Sequence, residues 1–145
     1  MPEGLPDALV LSLPTHLAFV RPFRKMLEGL LAAQGWSEED VEDAALVGTE
    51  VVQNAIEHGS RNDGTEHVDA RLLVESTGIV LEVRDPGTGK DPRILLAKDV
   101  ALPPDLEAAR GRGLFLIHRL SARFDRLRDA GGGCLVRVRM QWEAS

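Results

Sequence analysis

Disulfides, cysteine metal clusters and an excess of positive charge are all missing from this chain of 145 residues. Its single cysteine, Cys134, has no partner for an internal disulfide and no Cys or His neighbour at metal-ligand spacing, so we expect a small core residue. Lys plus Arg number 17 against 23 Asp plus Glu, which gives a net charge of −6. A field of this sign repels nucleic acid and anionic lipid, and it favours a basic or neutral protein partner.

Long apolar runs are missing as well. None approaches the roughly 18 residues that a membrane-spanning helix needs, and the first residues include an acidic one where a signal peptide has Lys or Arg. We therefore expect a cytoplasmic protein without a membrane segment. Pro (8) and Gly (14) are too few to indicate disorder, and 43% hydrophobic with 28% charged residues is typical of a globular domain. Without repeats or linkers, residues 1–145 are predicted to form one domain.

Hydrophobic spacing predicts two amphipathic helices, a further short helix and several strands. The first helix is capped by Thr15 and stopped by Gly35, and the second begins at the Ser37 capping box and ends at Gly59. The predicted elements in chain order are strand 8–13, helix 15–34, helix 37–58, a hairpin of strands 68–74 and 79–83, a long loop 86–110, helix 113–120, and strands 123–128 and 135–142. This order predicts one antiparallel or mixed sheet with helices covering one face.

The segment TEVVQNAIEHGS lies on the second predicted helix and carries candidate groups for phosphoryl transfer. Glu50, Asn54 and His58 are each four residues apart, so they follow one stripe beside the buried face. The Asn54 amide oxygen is a hard ligand suited to magnesium, and the Glu50 carboxylate can accept a proton from water or a hydroxyl group. The same spacing also fits a solvated polar face, and a His at a helix end also fits a cap for carbonyl groups.

A second motif, VRDPGTG, places Asp85 at the end of an apolar strand, where glycines let a ligand approach the backbone. A buried carboxylate there can accept a hydrogen bond from the exocyclic amine of adenine, and it disfavours the carbonyl of guanine. An ordinary strand-end turn also accounts for Asp, Pro and Gly at these positions.

A third motif, GRGLFLI, opens the short helix predicted over 113–120. Glycines at a helix start expose backbone N–H groups and the positive end of the helix dipole to phosphate oxygens, and Arg112 adds a fixed charge. A flexible hinge is the alternative interpretation, because glycine before a helix has many uses.

Together and in this order, the motifs TEVVQNAIEHG, DPGTG and GRGLFLI resemble the N, G1 and G2 boxes of the GHKL or Bergerat superfamily. This ATP-binding domain is shared by DNA gyrase, heat-shock chaperones and sensor histidine kinases. The small size and the NAIEHG version of the first box resemble the bacterial anti-sigma factor serine/threonine kinases. The resemblance implies an α/β two-layer sandwich: a mixed, mostly antiparallel sheet covered on one face by about three helices, with an ATP lid at about 86–110.

The resemblance also implies a site for ATP and Mg²⁺. Glu50 is the implied general base, Asn54 the implied magnesium ligand and Asp85 the implied reader of adenine. The implied nucleotide-binding residues are Asn54, His58, Asp85, Gly87, Gly89, Gly111, Arg112, Gly113 and Leu114. Many relatives carry threonine after the glycine before the final strand, but here Cys134 follows Gly133, which predicts a weaker or water-mediated adenine contact.

The implied function is that of an ATP-dependent serine/threonine protein kinase acting as an anti-sigma regulatory factor. Its implied partners are an RNA polymerase sigma factor, a STAS-domain antagonist that it phosphorylates, and a second copy in a homodimer. Arg21 and Arg24 on the first helix are candidates for binding an acidic partner, and two solvated arginines are the alternative. Two other functions stay open: a non-catalytic ATP/ADP-binding partner-switching module, and a detached histidine-kinase catalytic domain, which would be expected to follow a heptad-rich helix.

Overall fold

The computed structural model describes residues 8–75, 78–89, 123–128 and 133–141, and the fold is given for these residues. Their helices and strands, in chain order, are β1 (Ala8–Pro14), a 3-10 turn (Leu17–Phe19), α1 (Val20–Ala33), α2 (Glu38–Gly59), β2 (His67–Val74), β3 (Gly78–Asp85), β4 (Arg123–Arg128) and β5 (Cys134–Gln141). The predicted helix 113–120 and residues 90–110 of the predicted lid lie outside the described residues.

The start of α2 and the end of α1 lie at the residues that the sequence predicts. Ser37 caps α2, because its hydroxyl oxygen accepts a hydrogen bond from the backbone N–H of Asp40 at 3.1 Å. The first turn of α2 is acidic, which complements the positive end of the helix dipole. Gly35 has a φ of +86° just after α1, a conformation that other residues adopt only with strain. Both predicted signals are therefore confirmed.

The predicted helix cap at Thr15 is wrong. The 3-10 turn is capped instead by His16, whose Nδ1 accepts a hydrogen bond from the N–H of Ala18 at 3.0 Å. Thr15 is fully buried, and its hydroxyl oxygen accepts from the backbone N–H of Glu66 at 3.2 Å. The Thr15 side chain thus joins the end of β1 to the start of β2.

The described strands form one five-stranded sheet in the order β1-β2-β3-β5-β4. All four pairings between neighbouring strands are antiparallel, so the described part of the sheet is antiparallel rather than mixed. Leu72, Leu81 and Val138 stand opposite one another on three adjacent strands, and none of the three is exposed to solvent. Side chains alternate across a strand, so this row marks the face that the helices cover.

The hydrophobic core lies between this sheet face and the two α-helices. From α1 it takes Phe23, Leu27 and Leu31, which recur at helical spacing and are at most 2% exposed. The predicted stripe of α2 is confirmed as buried, and its members are Val41, Ala44, Ala45, Gly48, Val51, Val52 and Ala55. Because most of these side chains are small, α2 can lie close to both α1 and the sheet.

Gly48 provides a direct test of this packing. A Cβ added there would lie 2.5 Å from a methyl carbon of Leu27, which is fully buried and would have to shift within the core. We expect Gly48→Ala to lower the free energy of unfolding by about 1–3 kcal/mol, as overpacked cores do. The matched control is Gly29→Ala in α1, where an added Cβ would meet nothing within 4 Å.

The control substitution should raise the free energy of unfolding by roughly 0.5–1 kcal/mol, because alanine is the better helix former. Urea denaturation of both variants measures the difference. Equal stability of the Gly48→Ala and Gly29→Ala proteins would contradict the close packing of α2 on α1.

The face of the sheet away from α1 and α2 carries a row of paired charges. Glu82 on β3 is only 7% exposed, and its two carboxylate oxygens lie 3.2 Å from Nη1 of Arg71 and 2.7 Å from Nη2 of Arg137. These partners flank it on the two neighbouring strands. The cross-strand pairs allow a carboxylate to be buried on this face, because both of its oxygens are paired.

In the described part of the chain, neither α-helix has the length and apolar composition required to cross a bilayer.

Candidate functional site

Three predicted site residues follow one another on the last turns of α2. Glu50, Asn54 and His58 are each partly buried. The Asn54 Nδ2 and His58 Nε2 atoms are shielded from solvent, and neither has a hydrogen-bond partner among the described residues. His58 Nε2 lies 3.8 Å from a carboxylate oxygen of Glu57. A buried amide nitrogen without an acceptor is costly, so the Asn54 Nδ2 group is a candidate donor to an added acceptor such as a phosphate oxygen.

The turn after β3 lies against the C-terminal end of this stripe. The backbone N–H groups of Gly87 and Thr88 donate to the carbonyl oxygen of Gly59, at 2.9 and 3.2 Å. Gly87 has a φ of +74°, so the turn requires glycine there. The structure therefore brings the predicted first and second motifs together.

Asp85 organises the same turn. Its Oδ1 accepts hydrogen bonds from the N–H of Gly87 at 2.9 Å and from the N–H of Cys134 at 3.2 Å. The first bond spans two residues and is typical of an Asp-initiated turn, and the second joins the turn to the start of β5. Asp85 is partly buried, and its carboxylate is held in one orientation by these two donors.

Three glycines allow the backbone to come this close. An added Cβ at Gly59 would contact the Asp85 carboxylate, and one at Gly89 would contact the carbonyl oxygen of His58. One at Gly133 would contact the carbonyl oxygen of Asp85. Gly59 was predicted only to end the helix, but it is the last residue of α2 and its role is close approach.

Two further residues of the site, Glu66 and Thr88, were not predicted, although Thr88 lies within the second motif. Thr88 Oγ1 lies 2.7 Å from both carboxylate oxygens of Glu66, at the start of β2, and Glu66 Oε1 also accepts from the N–H of Arg61 at 3.0 Å. The Arg61 backbone N–H and then the Thr88 hydroxyl hold the pKa of the Glu66 carboxyl below its usual value. Glu66 is therefore ionised at neutral pH and links the turn to the loop after α2.

Cys134 is not the core residue that was predicted. It is partly exposed at the first position of β5, where its N–H bonds to Asp85. The other predicted site residues, Gly111, Arg112, Gly113 and Leu114, lie outside the described residues.

The side chains of this site also indicate how magnesium could be held. Within residues 8–75, 78–89, 123–128 and 133–141, no group of three or more His, Cys, Asp and Glu side chains is arranged to hold a metal ion. Mg²⁺ keeps several waters and is commonly bound by one or two protein groups together with substrate phosphates. A single amide such as Asn54 fits a metal of this kind, which arrives with its phosphate ligands.

Comparison with known families identifies the class of domain to which this fold belongs. Residues 13–142 match the family described as histidine kinase-like ATPase domain. Because the match covers most of the chain, the chain belongs to this family. The superfamily predicted from the three motifs is therefore confirmed.

Curated relatives narrow the resemblance further. The chain is similar to the protein named serine-protein kinase RsbW of Listeria monocytogenes serovar 1/2a, with 26% identity over 118 residues that cover 79% of this chain and 75% of the relative. RsbW of Bacillus cereus is 24% identical over 141 residues, which cover 94% of this chain and 88% of the relative. RsbW of Bacillus licheniformis is 27% identical over 121 residues, which cover 79% and 74%.

Proposed function

We propose that the chain is a cytoplasmic, ATP-dependent serine/threonine protein kinase that acts as an anti-sigma regulatory factor. It binds an RNA polymerase sigma factor and, as a homodimer, phosphorylates a STAS-domain antagonist. Nucleotide binding is supported by a single observation, the contact between the end of α2 and the turn after β3. Beside this contact, one helical turn before His58, lies the buried Asn54 amide nitrogen, which has no partner among the described residues. The serine-protein kinases named above support the choice of reaction.

Each residue of the stripe has a distinct proposed role. When bound, Mg²⁺-ATP supplies the phosphoryl group and neutralises charge on it. Asn54 holds the metal through its amide oxygen, and His58 belongs to the same nucleotide-binding stripe. Glu50, one turn earlier, accepts the proton of the incoming hydroxyl and aligns that hydroxyl for attack. This division fits helical spacing, because residues four apart face the same region.

The turn after β3 has the recognition role in this proposal. Asp85 accepts a hydrogen bond from the adenine amine, and Gly87 and Gly89 let the nucleotide approach the backbone. Gly111, Arg112, Gly113 and Leu114 bind the phosphates at the start of the helix predicted over 113–120, where N–H groups and the helix dipole would attract anions. Residues 1–145 form one domain, and residues 86–110 act as the lid.

A groove between α1 and α2 supports the protein-binding part of the proposal. It measures about 530 Å³, and its lining includes the cations Arg21, Arg24 and Lys25 beside the apolar Leu17 and Val20. Glu28 also lines the groove, where its carboxylate lies 3.8 Å from Nε of Arg24 and 3.7 Å from Nζ of Lys25. With three cations and one carboxylate the groove is still locally basic, although the chain carries a net charge of −6. It also reaches Thr49, the residue before Glu50, so a partner seated there lies beside the catalytic stripe.

We expect the single substitutions Arg21→Glu and Arg24→Glu to weaken binding of the cognate sigma factor by about 10- to 100-fold, because each reverses a charge facing an acidic partner. The control is Arg61→Glu, an exposed arginine on the loop after α2 that does not line the groove. Surface plasmon resonance at low and physiological salt measures the affinities. Equal affinities for the groove variants and the control would exclude the groove as the sigma-factor site.

Labelled ATP tests the kinase assignment. The protein is incubated with γ-labelled ATP, Mg²⁺ and a STAS-domain protein from the same organism, and the label is expected on a serine or threonine of that protein. Binding of ATP without any transfer would favour the non-catalytic partner-switching module. Label on a histidine would favour the histidine-kinase catalytic domain. If calorimetry detects no nucleotide binding, all three functions are excluded. Sedimentation equilibrium tests the homodimer separately.

A further inference from the structure

The contact between Thr88 and Glu66 lies beside the proposed nucleotide site and has no role in the mechanism described above. Thr88 stands between Gly87 and Gly89 in the turn that follows β3, and its hydroxyl lies 2.7 Å from both carboxylate oxygens of Glu66. Glu66 comes just before β2, 22 residues away along the chain. The contact therefore continues the link between β2 and β3 beyond Asp69 and Arg84, the last residues paired at this end of the two strands.

Glu66 is itself fixed on three sides. Its Oε1 accepts from the N–H of Arg61 at 3.0 Å, its N–H donates to the Thr15 hydroxyl at 3.2 Å, and its carbonyl oxygen accepts from the Thr15 N–H at 3.0 Å. Thr15 is fully buried, so this anchor belongs to the rigid part of the fold. A carboxylate held in this way is a fixed point from which a neighbouring turn can be positioned.

The turn on the other side of the contact is the one that carries Asp85. Gly87 and Thr88 bond through their N–H groups to the carbonyl oxygen of Gly59, and Gly87 bonds to Asp85 Oδ1. The Thr88 hydroxyl links this turn, through a side-chain hydrogen bond, to Glu66 just before β2. Without that link, the turn keeps its backbone bonds but can rotate about them, and this would move Gly87, whose N–H is one of the two donors that orient the Asp85 carboxylate.

We infer that Glu66 and Thr88 are positioning residues for nucleotide binding: the Thr88 hydroxyl, held by the Glu66 carboxylate, sets the orientation of the turn from which Asp85 reads adenine. Neither residue touches the reacting groups in this scheme. The inference rests on the proposed nucleotide site. It adds two residues that affect nucleotide affinity but are not among the proposed nucleotide-binding residues.

The test compares Thr88→Val, which removes the hydroxyl with little change in shape, with Thr88→Ser, which retains it. Calorimetry with ADP in the presence of Mg²⁺ should show affinity about three- to tenfold weaker for the valine variant, as loss of one exposed hydrogen bond predicts, and near wild-type affinity for the serine variant. Glu66→Gln keeps an acceptor oxygen but removes the charge, and we expect it to fall between the two.

Thr65→Val is the matched control. Thr65 donates through its hydroxyl to Asp63 Oδ1 in the same loop, so it is also a threonine bonded to a carboxylate, but its bond does not reach the turn. We expect unchanged ADP affinity for this variant. Thermal unfolding without nucleotide is measured for every variant, because a merely structural role would lower stability and would not separate Thr88→Val from Thr65→Val.

Hydrogen exchange of the Gly87 and Thr88 amides provides a readout that needs no nucleotide. Faster exchange in Thr88→Val but not in Thr88→Ser or Thr65→Val supports the inference. Unchanged exchange and unchanged ADP affinity in Thr88→Val overturn it, and so does equal weakening by Thr65→Val. If the wild-type protein binds no ADP, the proposed function fails and the inference fails with it; if the wild type binds and Thr88→Val binds equally well, only the inference fails.

Discussion

Asp85→Asn is expected to weaken ATP binding by about 100-fold, which corresponds to roughly 3 kcal/mol at the strong end for a hydrogen bond to a charged group. It should also remove most of the preference for ATP over GTP. Both effects follow if the carboxylate accepts from the adenine amine, because an amide nitrogen at that position donates instead and suits the guanine carbonyl.

The substitution is informative because the remaining oxygen can preserve the turn. Asp85 Oδ1 accepts from the N–H groups of Gly87 and Cys134, and an asparagine oxygen can accept from both. Its other side faces Gly59, where an added Cβ would already contact the carboxylate, so an isosteric replacement is required. We therefore expect the fold to persist while recognition of the base is lost.

Competition of ATP and GTP against a fluorescent ADP analogue measures both quantities for wild type and variant. Asp69→Asn is the control: Asp69 is an exposed aspartate on β2, opposite Arg84, away from the turn. Amide exchange at Gly87 and Cys134 checks that the turn persists. An Asp85→Asn protein that keeps both its ATP affinity and its selectivity would refute the assignment of Asp85 as the reader of adenine.

Features governed by neighbours in sequence could be predicted from the sequence. The Ser37 cap, the Gly35 stop and the buried stripe of α2 each depend on residues within a few positions, and all three are confirmed. Strand β4 has the bounds that were predicted, β1 ends one residue later than predicted, and β5 begins and ends one residue earlier. Local signals suffice here because hydrophobic period and capping chemistry act within single elements.

Features set by contacts distant in sequence could not be predicted. Thr15 is of a residue type that commonly caps helices, but its hydroxyl oxygen accepts a hydrogen bond from the backbone N–H of Glu66, 51 residues away. Glu82 alternates with apolar residues in the sequence, but it is buried because Arg71 and Arg137 flank it across the sheet. Neither partner can be identified until the register of the strands is known.

Only part of the candidate site could be predicted from the sequence. Spacing placed Glu50, Asn54 and His58 on one stripe but left a solvated polar face open as the alternative. The buried, unpartnered amide of Asn54 disfavours that alternative. Only the fold shows that Gly59 and Gly89 permit close approach of the second motif, since a glycine in a sequence does not reveal which backbone it faces.

Glu50→Gln is expected to lower phosphoryl transfer to the STAS-domain substrate by about 100- to 10,000-fold, the range that a positioned general base contributes. The amide has nearly the same shape as the carboxylate but cannot take up the proton of the attacking hydroxyl. Affinity for Mg²⁺-ATP should stay close to that of the wild type, because Asn54 and Asp85 carry the binding in the proposed mechanism.

Single-turnover transfer and equilibrium binding must be measured separately, since a combined rate cannot distinguish loss of the base from loss of the nucleotide. Glu42→Gln is the control, because Glu42 is an exposed carboxylate on the same helix. Asn54→Ala gives the complementary pattern: it should weaken Mg²⁺-dependent ATP binding first, and transfer only as a consequence.

The contrast between these variants decides what the stripe on α2 does. If Glu50→Gln slows transfer without changing ATP affinity, while Asn54→Ala changes both, then residues one helical turn apart divide chemistry and binding between them. If Glu50→Gln transfers at the wild-type rate, Glu50 is not the base, and positioning by Asn54 and the turn after β3 must account for the rate alone. If Glu50→Gln instead loses ATP affinity, the carboxylate acts on the nucleotide or its metal, and the proton of the acceptor hydroxyl must leave by another route.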